Sequence, residues 1–248
     1  MRRPSLAAAL CLLALAGAGC GSDDEESPKS DPGATAPTPA TRGGCQGVKA
    51  PRRKPEGAEQ RPGGPLASGK RYSVRLETSC GDFTIGLDPR SAPQASASFV
   101  ALARKGFFDD TVFHRIVPGF VIQGGDPTAS GMGGPGYSTR DVPPSDARYT
   151  KGVVAMAKTA QEPAGTAGSQ FYVVSGADAG LPPEYAVLGK VTVGLDVVTR
   201  IGELGDPDSG EAGTPSQPVV IEHATVSEFK SPPKAKKQRR DARSRRKR

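Results

Sequence analysis

The sequence predicts a mainly β domain, either a closed barrel or a sandwich, between residues 70 and 229. Three observations predict this class. Many short apolar runs alternate with turn residues, only two segments have helical periodicity, and the chain contains 32 Gly and 24 Pro, which favour turns over long helices. Aromatic residues make up only 5% of the chain and Trp is absent, so much of the sequence is expected to lie outside a core.

The first predicted elements are a β-hairpin and a helix. The segments YSVRLET (72–78) and DFTIGLD (82–88) alternate polar and apolar residues around the turn SCG. The following segment, SAPQASASFVALARKG (91–106), has the spacing of an amphipathic helix. Its expected N-cap is Ser91, and Gly106 is its expected stop signal.

The rest of the domain is predicted to consist of strands and one more short helix. The segment LDVVTRIGELG has helical periodicity and precedes the last strand. The further strands are predicted at TVFHRIV, GFVIQGG, GVVAMAK, SQFYVVSG, AVLGKVT and VVIEHATVSEF.

Two polar side chains interrupt the apolar strands of FHRIVPGFVIQGGD (113–126). Strand alternation puts Arg115 on one face with apolar residues two positions away, and puts Gln123 on the same wall after the Pro-Gly bend. A guanidinium, an amide and apolar side chains would then meet without a nucleophile or a general base. Taken alone, either residue is more simply an exposed strand residue. The motifs around them give the pair its significance.

These motifs resemble those of the cyclophilin-type peptidyl-prolyl isomerases. In chain order they are FHRIVPGFVIQGGDP, GMGGPGY (131–137), AMA (155–157), GSQFYV (168–173) and VLGKV (187–191). The resemblance implies a closed eight-stranded antiparallel β-barrel capped by two α-helices, with an active groove on its outer face. It also implies peptidyl-prolyl cis-trans isomerase activity on proline-containing polypeptides. No metal or cofactor is expected.

The resemblance implies roles for individual residues. The catalytic set corresponds to Arg115, Gln123 and Phe120. The residues expected to bind substrate are Val121, Gly131, Ala157, Lys158, Gln170, Tyr172, Leu181 and Tyr185. The family's usual Asn is Lys158 here, its frequent His is Tyr185, and the loop KTAQEPAGTA is longer than the common form. These departures leave cyclosporin sensitivity open, whereas turnover is expected to survive.

The N-terminal part of the chain lies outside this resemblance. Residues 1–20 form a predicted signal peptide, because a short apolar run follows two arginines and ends in LAGAGC. That ending resembles a bacterial lipobox with Cys20 as the lipidated residue, although an ordinary secretory signal cleaved near Ala18 stays open. Both interpretations predict export. Residues 21–69 lack apolar periodicity and are predicted to be a disordered tether.

Cysteine usage and charge complete the prediction. If Cys11 is removed with the signal peptide and Cys20 is lipidated, Cys45 and Cys80 are left as a possible disulfide in an oxidising compartment, with two free thiols as the alternative. Residues 230–248 hold eleven Lys or Arg and one acid, Asp241, so the formal net charge of +7 comes from this tail. We expect a disordered tail that meets anionic lipid or envelope polymers, because export argues against nucleic acid.

The predicted function is therefore that of an isomerase that accelerates Xaa-Pro rotation in exported proteins and assists their folding. It is expected to be a monomer, anchored to the cell membrane by lipid, with its domain on the extracytoplasmic side. The alternative is a non-catalytic envelope protein or chaperone that holds proline-containing segments. The presence of Arg115, Phe120 and Gln123 favours the enzyme.

Overall fold

The computed structural model describes residues 41, 42 and 44–231. The predicted signal peptide, the predicted tether up to residue 40 and the tail from residue 232 lie outside these residues. The described helices are α1 (Pro93–Arg104), α2 (Leu195–Gly202) and a 3-10 helix (Pro207–Ala212). None of them has the length and apolar character needed to cross a bilayer.

The described strands cover all the predicted strand segments, one of which is divided in two, and several shorter strands are added. They are β1 (Thr41–Arg42), β2 (Cys45–Gln46), β3 (Lys70–Thr78), β4 (Gly81–Leu87), β5 (Thr111–Val112), β6 (Arg115–Val117), β7 (Val121–Gly124), β8 (Thr139–Arg140), β9 (Val153–Met156), β10 (Thr166–Ala167), β11 (Phe171–Val174), β12 (Val187–Val193) and β13 (Val220–Lys230).

Nine strands form one curled antiparallel sheet in the order β5-β13-β3-β4-β12-β9-β11-β7-β6. The two edge strands, β5 and β6, are separated in the chain only by Phe113 and His114. The predicted single strand TVFHRIV is thus divided: β5 pairs with β13, and β6 pairs with β7. The structure therefore differs from the predicted closed eight-stranded barrel. Within the described residues, the chain itself links the two edges of a nine-stranded half-barrel, and no strand pair closes them.

An aromatic cluster fills the inside of the curled sheet. Phe171 of β11 makes edge-to-face contacts with Phe99, Phe108 and Phe113, at centroid distances of 5.3, 5.9 and 6.1 Å. All four rings are fully buried. Because Phe99 belongs to α1, these contacts fix the first helix against the strand that later supplies part of the groove.

The start of α1 is capped by a distant residue. Its N-cap is Ala92, which has no capping side chain, and the Ser91 hydroxyl instead donates to the Asp88 carboxylate at 2.8 Å. The Asp141 carboxylate accepts a hydrogen bond from the Ala95 N–H at 2.7 Å. The prediction of Ser91 as the N-cap was wrong because a tertiary contact satisfies this helix end.

Residues 45–61 form a strap that lies against the domain, although the sequence predicted disorder over all of 21–69. Four backbone N–H groups of the strap donate to carbonyls of the domain. These bonds are Gln46 to Ser79 (2.7 Å), Lys54 to Pro127 (2.9 Å), Gly57 to Gly134 (3.0 Å) and Glu59 to Pro135 (2.8 Å). The prediction fails here because backbone hydrogen bonds to another segment leave no apolar periodicity in the sequence.

Two side-chain interactions fix the first half of the strap. A disulfide joins Cys45 to Cys80, and both residues are buried. The Lys54 ammonium donates to the carbonyls of Gly106 and Phe107, at 3.5 and 3.4 Å, and also to that of Asp109. A cation is favourable there because the carbonyl groups beyond the end of a helix carry partial negative charge.

Replacing both Cys45 and Cys80 with Ala is expected to lower the free energy of unfolding by about 2–4 kcal/mol. The bond closes a loop with a sequence separation of 35, and closing it restricts the unfolded chain. Denaturant unfolding of the variant and of the wild type measures the difference, with reductant-treated wild type as the control. Equal unfolding midpoints for all three samples would contradict the prediction.

Candidate active site

A second apolar cluster lies on the outer face of the sheet. Apart from Tyr149, which precedes β9 in the chain, it is built from alternate residues of the three adjacent strands β7, β9 and β11, whose other residues point into the core. Its buried members are Val121, Tyr149, Val153, Ala155, Tyr172 and Val174. In β11, for example, Phe171 and Val173 belong to the core while Tyr172 and Val174 belong to the outer cluster. The strands FYVV and VVAM are accordingly apolar throughout, since both of their faces are covered.

A pocket of about 260 Å³ opens over this cluster. Its lining residues are Arg115, Phe120, Val121, Gln123, Ala157, Lys158, Tyr172, Leu181 and Tyr185. Each of these is a site residue predicted from the sequence. The two other predicted residues, Gly131 and Gln170, line an adjoining cavity of about 470 Å³. Strands and loops far apart in the chain thus bring the whole predicted set to one groove.

Strand pairing puts Arg115 and Gln123 side by side. They are direct partners in the antiparallel register of β6 and β7. The Arg115 guanidinium lies 5.7 Å from the centre of the Phe120 ring. Burial lowers the pKa of Arg115 from its ordinary value, and the charge of Glu211 opposes this shift. The group stays cationic, since arginine does not lose its proton in proteins. It therefore offers directed N–H donors at the mouth of an apolar pocket.

A loop after α2 holds Arg115 in place. The Arg115 Nε–H donates to the backbone carbonyl of Glu211 at 3.0 Å, and the neighbouring Ile116 N–H donates to the carbonyl of Gly213 at 2.7 Å. Gly213 has a φ of +65°, and a Cβ there would lie 2.7 Å from Val117 Cγ2 and 2.8 Å from Arg115 Cγ. The sequence analysis missed this loop, because DPDSGEAGT looks like an ordinary surface turn.

The Gln123 amide belongs to a short hydrogen-bonded chain. Its Nε2 donates to Gln170 Oε1 at 3.0 Å, and Gln170 Nε2 donates to the Gly133 carbonyl at 2.9 Å. These bonds fix the plane of the Gln123 amide. Because an amide nitrogen carries two hydrogens, Gln123 has a second N–H with which to bind a substrate carbonyl.

The buried Asp126 carboxylate organises the loop that carries Gly131. It accepts hydrogen bonds from the backbone N–H groups of Thr128, Ser130, Gly131 and Gly133. Burial by itself would raise the pKa of Asp126, but these N–H groups and the Thr128 hydroxyl hold it below its ordinary value. One ionised side chain thus shapes the wall of the adjoining cavity.

Two tyrosines line the pocket, and a third, Tyr149, packs against both of them. The rings of Tyr172 and Tyr185 meet edge to face, with centroids 5.6 Å apart. Tyr149, which the sequence analysis missed, donates from its hydroxyl to the Tyr185 carbonyl at 2.8 Å and accepts from the Tyr185 N–H at 3.0 Å. Burial raises the pKa of the Tyr172 hydroxyl. Tyr172 therefore acts as an uncharged wall, and Tyr149 fixes the backbone of Tyr185.

Comparison with known proteins identifies the family of this chain. Residues 73–226 match the family model described as "Cyclophilin type peptidyl-prolyl cis-trans isomerase/CLD". The chain belongs to this family. All the predicted catalytic and substrate-binding residues lie within the matched span, whereas the strap precedes it. The activity of this cyclophilin is accordingly peptidyl-prolyl cis-trans isomerisation.

Similar proteins and structures agree with this assignment. The cyclophilin is 34% identical over 158 residues to peptidyl-prolyl cis-trans isomerase-like 3 of Dictyostelium discoideum, covering 62% of this chain and 94% of that protein. It is 39% identical over 166 residues to the spliceosome-associated protein CWC27 homolog of Xenopus laevis, covering 65% of this chain but only 33% of that protein. A Cryptosporidium parvum cyclophilin-type isomerase, crystallised in the presence of the dipeptide Ala-Pro, matches with a TM-score of 0.56 and 30% identity, covering 62% and 98% of the two chains.

Lys158 is the main departure from the family pattern within the groove. Its side chain is only 2% exposed, and its ammonium lies 2.9 Å from a carboxylate oxygen of Glu184. The same ammonium lies 5.4 Å from the centre of the Tyr185 ring. The two departures, Lys158 and Tyr185, therefore contact each other, and Glu184 neutralises the added charge.

Replacing Gly213 with Ala is expected to lower kcat by about tenfold, because the new Cβ displaces Arg115. KM should change much less, since the new Cβ does not meet Phe120, Tyr172 or Leu181, which line the apolar part of the pocket. Steady-state isomerisation kinetics of the variant measure both constants.

The matched control is Gly210→Ala in the same loop. Gly210 also has a positive φ, of +53°, but no atom lies within 4 Å of the position of its Cβ. With a ψ of −133°, Gly210 lies outside the αL region that Gly213 occupies, so alanine in the control carries at least as much backbone strain but lacks the contact to Arg115. An equal loss of kcat in both variants would show that loop strain, and not displacement of Arg115, causes the effect.

Proposed function

We propose that this cyclophilin accelerates Xaa-Pro rotation in exported proteins and assists their folding, while an N-terminal lipid anchors it to the cell membrane. The observation that carries the catalytic part is the direct pairing of Arg115 with Gln123 above an apolar pocket. This arrangement holds a donor and an amide at a fixed spacing and contains no group suited to hydrolysis.

The proposed mechanism requires no covalent intermediate. Rotation about Xaa-Pro is slow because the C–N bond has partial double-bond character, with a barrier of about 18–20 kcal/mol. When the amide twists, the lone pair of the prolyl nitrogen becomes free to accept a hydrogen bond. Donation from Arg115 to that nitrogen stabilises the twisted transition state and not the planar ground state, which is the condition for catalysis.

The arginine does not account for the whole rate enhancement. Shortening isomerisation from tens of seconds to milliseconds lowers the barrier by about 5–6 kcal/mol. One charge-assisted hydrogen bond contributes about 1.5–3 kcal/mol. The remainder is assigned to the groove, in which Gln123 holds the substrate backbone while Phe120, Tyr172 and Leu181 enclose the proline ring away from water.

The buried disulfide supports the export part of the proposal. A bond between Cys45 and Cys80 persists in an oxidising compartment and is rare in a reducing cytosol. The signal-like residues 1–20 and the lipobox-like LAGAGC are the sequence features that agree with it. The clients in this proposal are proline-containing segments that fold after export.

Substituting Arg115 tests the mechanism. Arg115→Ala and Arg115→Lys are both expected to lower kcat/KM at least about tenfold, equivalent to ~1.4 kcal/mol of transition-state stabilisation. Lysine keeps the charge but loses the planar fork, so the pair of variants separates attraction by a point charge from directed donation. The measurement is isomerisation of a model proline peptide by the purified full-length protein.

Gln123→Ala is the companion variant. Its contact with substrate exists in both ground and transition states, so binding and turnover should weaken together. If Arg115→Lys keeps wild-type turnover, directed donation is not required. If the wild type leaves the peptide at its uncatalysed rate, the non-catalytic binding alternative replaces the enzyme.

Cys20→Ala tests the anchor. The variant is expected to move from the membrane fraction to the soluble exported fraction, because the lipid on this residue carries the attachment. Fractionation and detection of acylation on the wild type measure the effect. Unchanged membrane retention without acylation would rule out the lipid anchor and leave the basic tail 230–248 as the attachment.

A further inference from the structure

The strap adds a wall to the substrate groove. The cavity of about 470 Å³ shares Gln123, Ala157 and Lys158 with the proline pocket, so the two form one continuous groove. Glu56 of the strap lines this cavity. Since the family match begins at residue 73, this wall lies outside the cyclophilin domain itself.

Backbone contacts immediately after Glu56 in the chain fix its position at the rim. The Gly57 and Glu59 N–H groups bond to the carbonyls of Gly134 and Pro135. A Cβ on Gly57 would lie 2.8 Å from the Phe107 ring and 2.9 Å from the Gly134 oxygen. Only glycine fits so close to the domain at this point, so the strap packs directly against the residues that border the groove.

The charge of the cavity wall is negative. Among the described residues, neither Glu56 nor Glu162 has an ion-pair partner within 4.0 Å. Glu162 is held in place by the Thr159 N–H and hydroxyl, at 2.6 and 3.0 Å, and it also borders a cleft lined by Arg61 and Arg140. The positive charge of Lys158 is already compensated by Glu184. Of the two carboxylates in the cavity wall, Glu56 is thus the one whose charge is neutralised least by nearby cations.

Apolar groups lie beside these carboxylates. Met132 is 78% exposed and lines the cavity together with Pro135 and Tyr137. A lysine or arginine side chain combines an apolar stem with a cationic head, and such a side chain packs its stem on apolar surface while its head reaches a polar group. An acidic substrate side chain would make similar apolar contacts, but the carboxylates of the cavity wall would repel its charged end.

We propose that Glu56 is a specificity-determining residue through which the strap makes this enzyme prefer substrates that carry Lys or Arg close to the proline. The inference rests on the proposed isomerase function. Three extended residues span about 10 Å, so a side chain within three positions of the proline reaches a neighbouring cavity.

A set of charge-varied peptides tests the proposal. Each peptide has the same sequence around its proline, with Lys, Gln or Glu at one position within three residues on either side. At low ionic strength, the full-length wild type is expected to show kcat/KM about threefold or more higher for Lys than for Glu at the best position. Glu56→Gln should reduce this ratio and Glu56→Lys should abolish or invert it, and because the ratio is taken between two peptides with the same variant, a general loss of activity does not alter it.

Glu59→Gln is the matched control. It removes the same charge from the strap, but the Glu59 carboxylate pairs with Lys105 at 2.5 Å and does not line the cavity. The charge preference should therefore survive in this variant. A wild type without charge preference, a full preference in Glu56→Gln, or an equal loss in Glu59→Gln would each overturn the proposal. If the wild type fails to isomerise even the Gln peptide, the result would instead contradict the proposed function.

Discussion

Burial of both faces of the adjacent strands β7, β9 and β11 is the constraint on which the rest of this structure depends. The inward residues Ile122, Val154 and Phe171 fill the core, and their immediate neighbours in sequence form the floor of the groove. Because side chains alternate along a strand, a shift of one residue would exchange core and groove. Core packing and groove shape are therefore set by the same strand register.

The same register also fixes the polar pair. Arg115 and Gln123 stand opposite each other because β6 and β7 pair across the Pro-Gly bend. A half-buried guanidinium needs acceptors, and the backbone of the loop after α2 supplies one without consuming the N–H donors at the end of the side chain. The chain thus presents a cation to an apolar pocket while neutralising little of its charge.

The strap shows how a polar segment becomes part of a folded domain. It contributes few apolar side chains, and what holds it is one disulfide, backbone hydrogen bonds and a lysine on exposed carbonyls. Forming such contacts orders only the strap itself, because the domain already holds their partners in place. They also connect an appended segment of the chain to the rim of the substrate groove.

The sequence by itself determined both α-helices and the longer strands, and the family resemblance of its motifs supplied the residues of the pocket. Strand alternation and ordered motifs are local patterns, and they were sufficient to select Arg115, Gln123 and the residues around them. Only the tertiary structure decided that 111–117 divides into two edge strands, that Asp141 caps α1, that Gly213 supports Arg115, and that residues 45–61 are ordered. Each of these features depends on hydrogen bonds or close contacts between segments far apart in the chain. Contacts of this kind involve single polar groups or glycines, and they leave no periodic signal in the sequence.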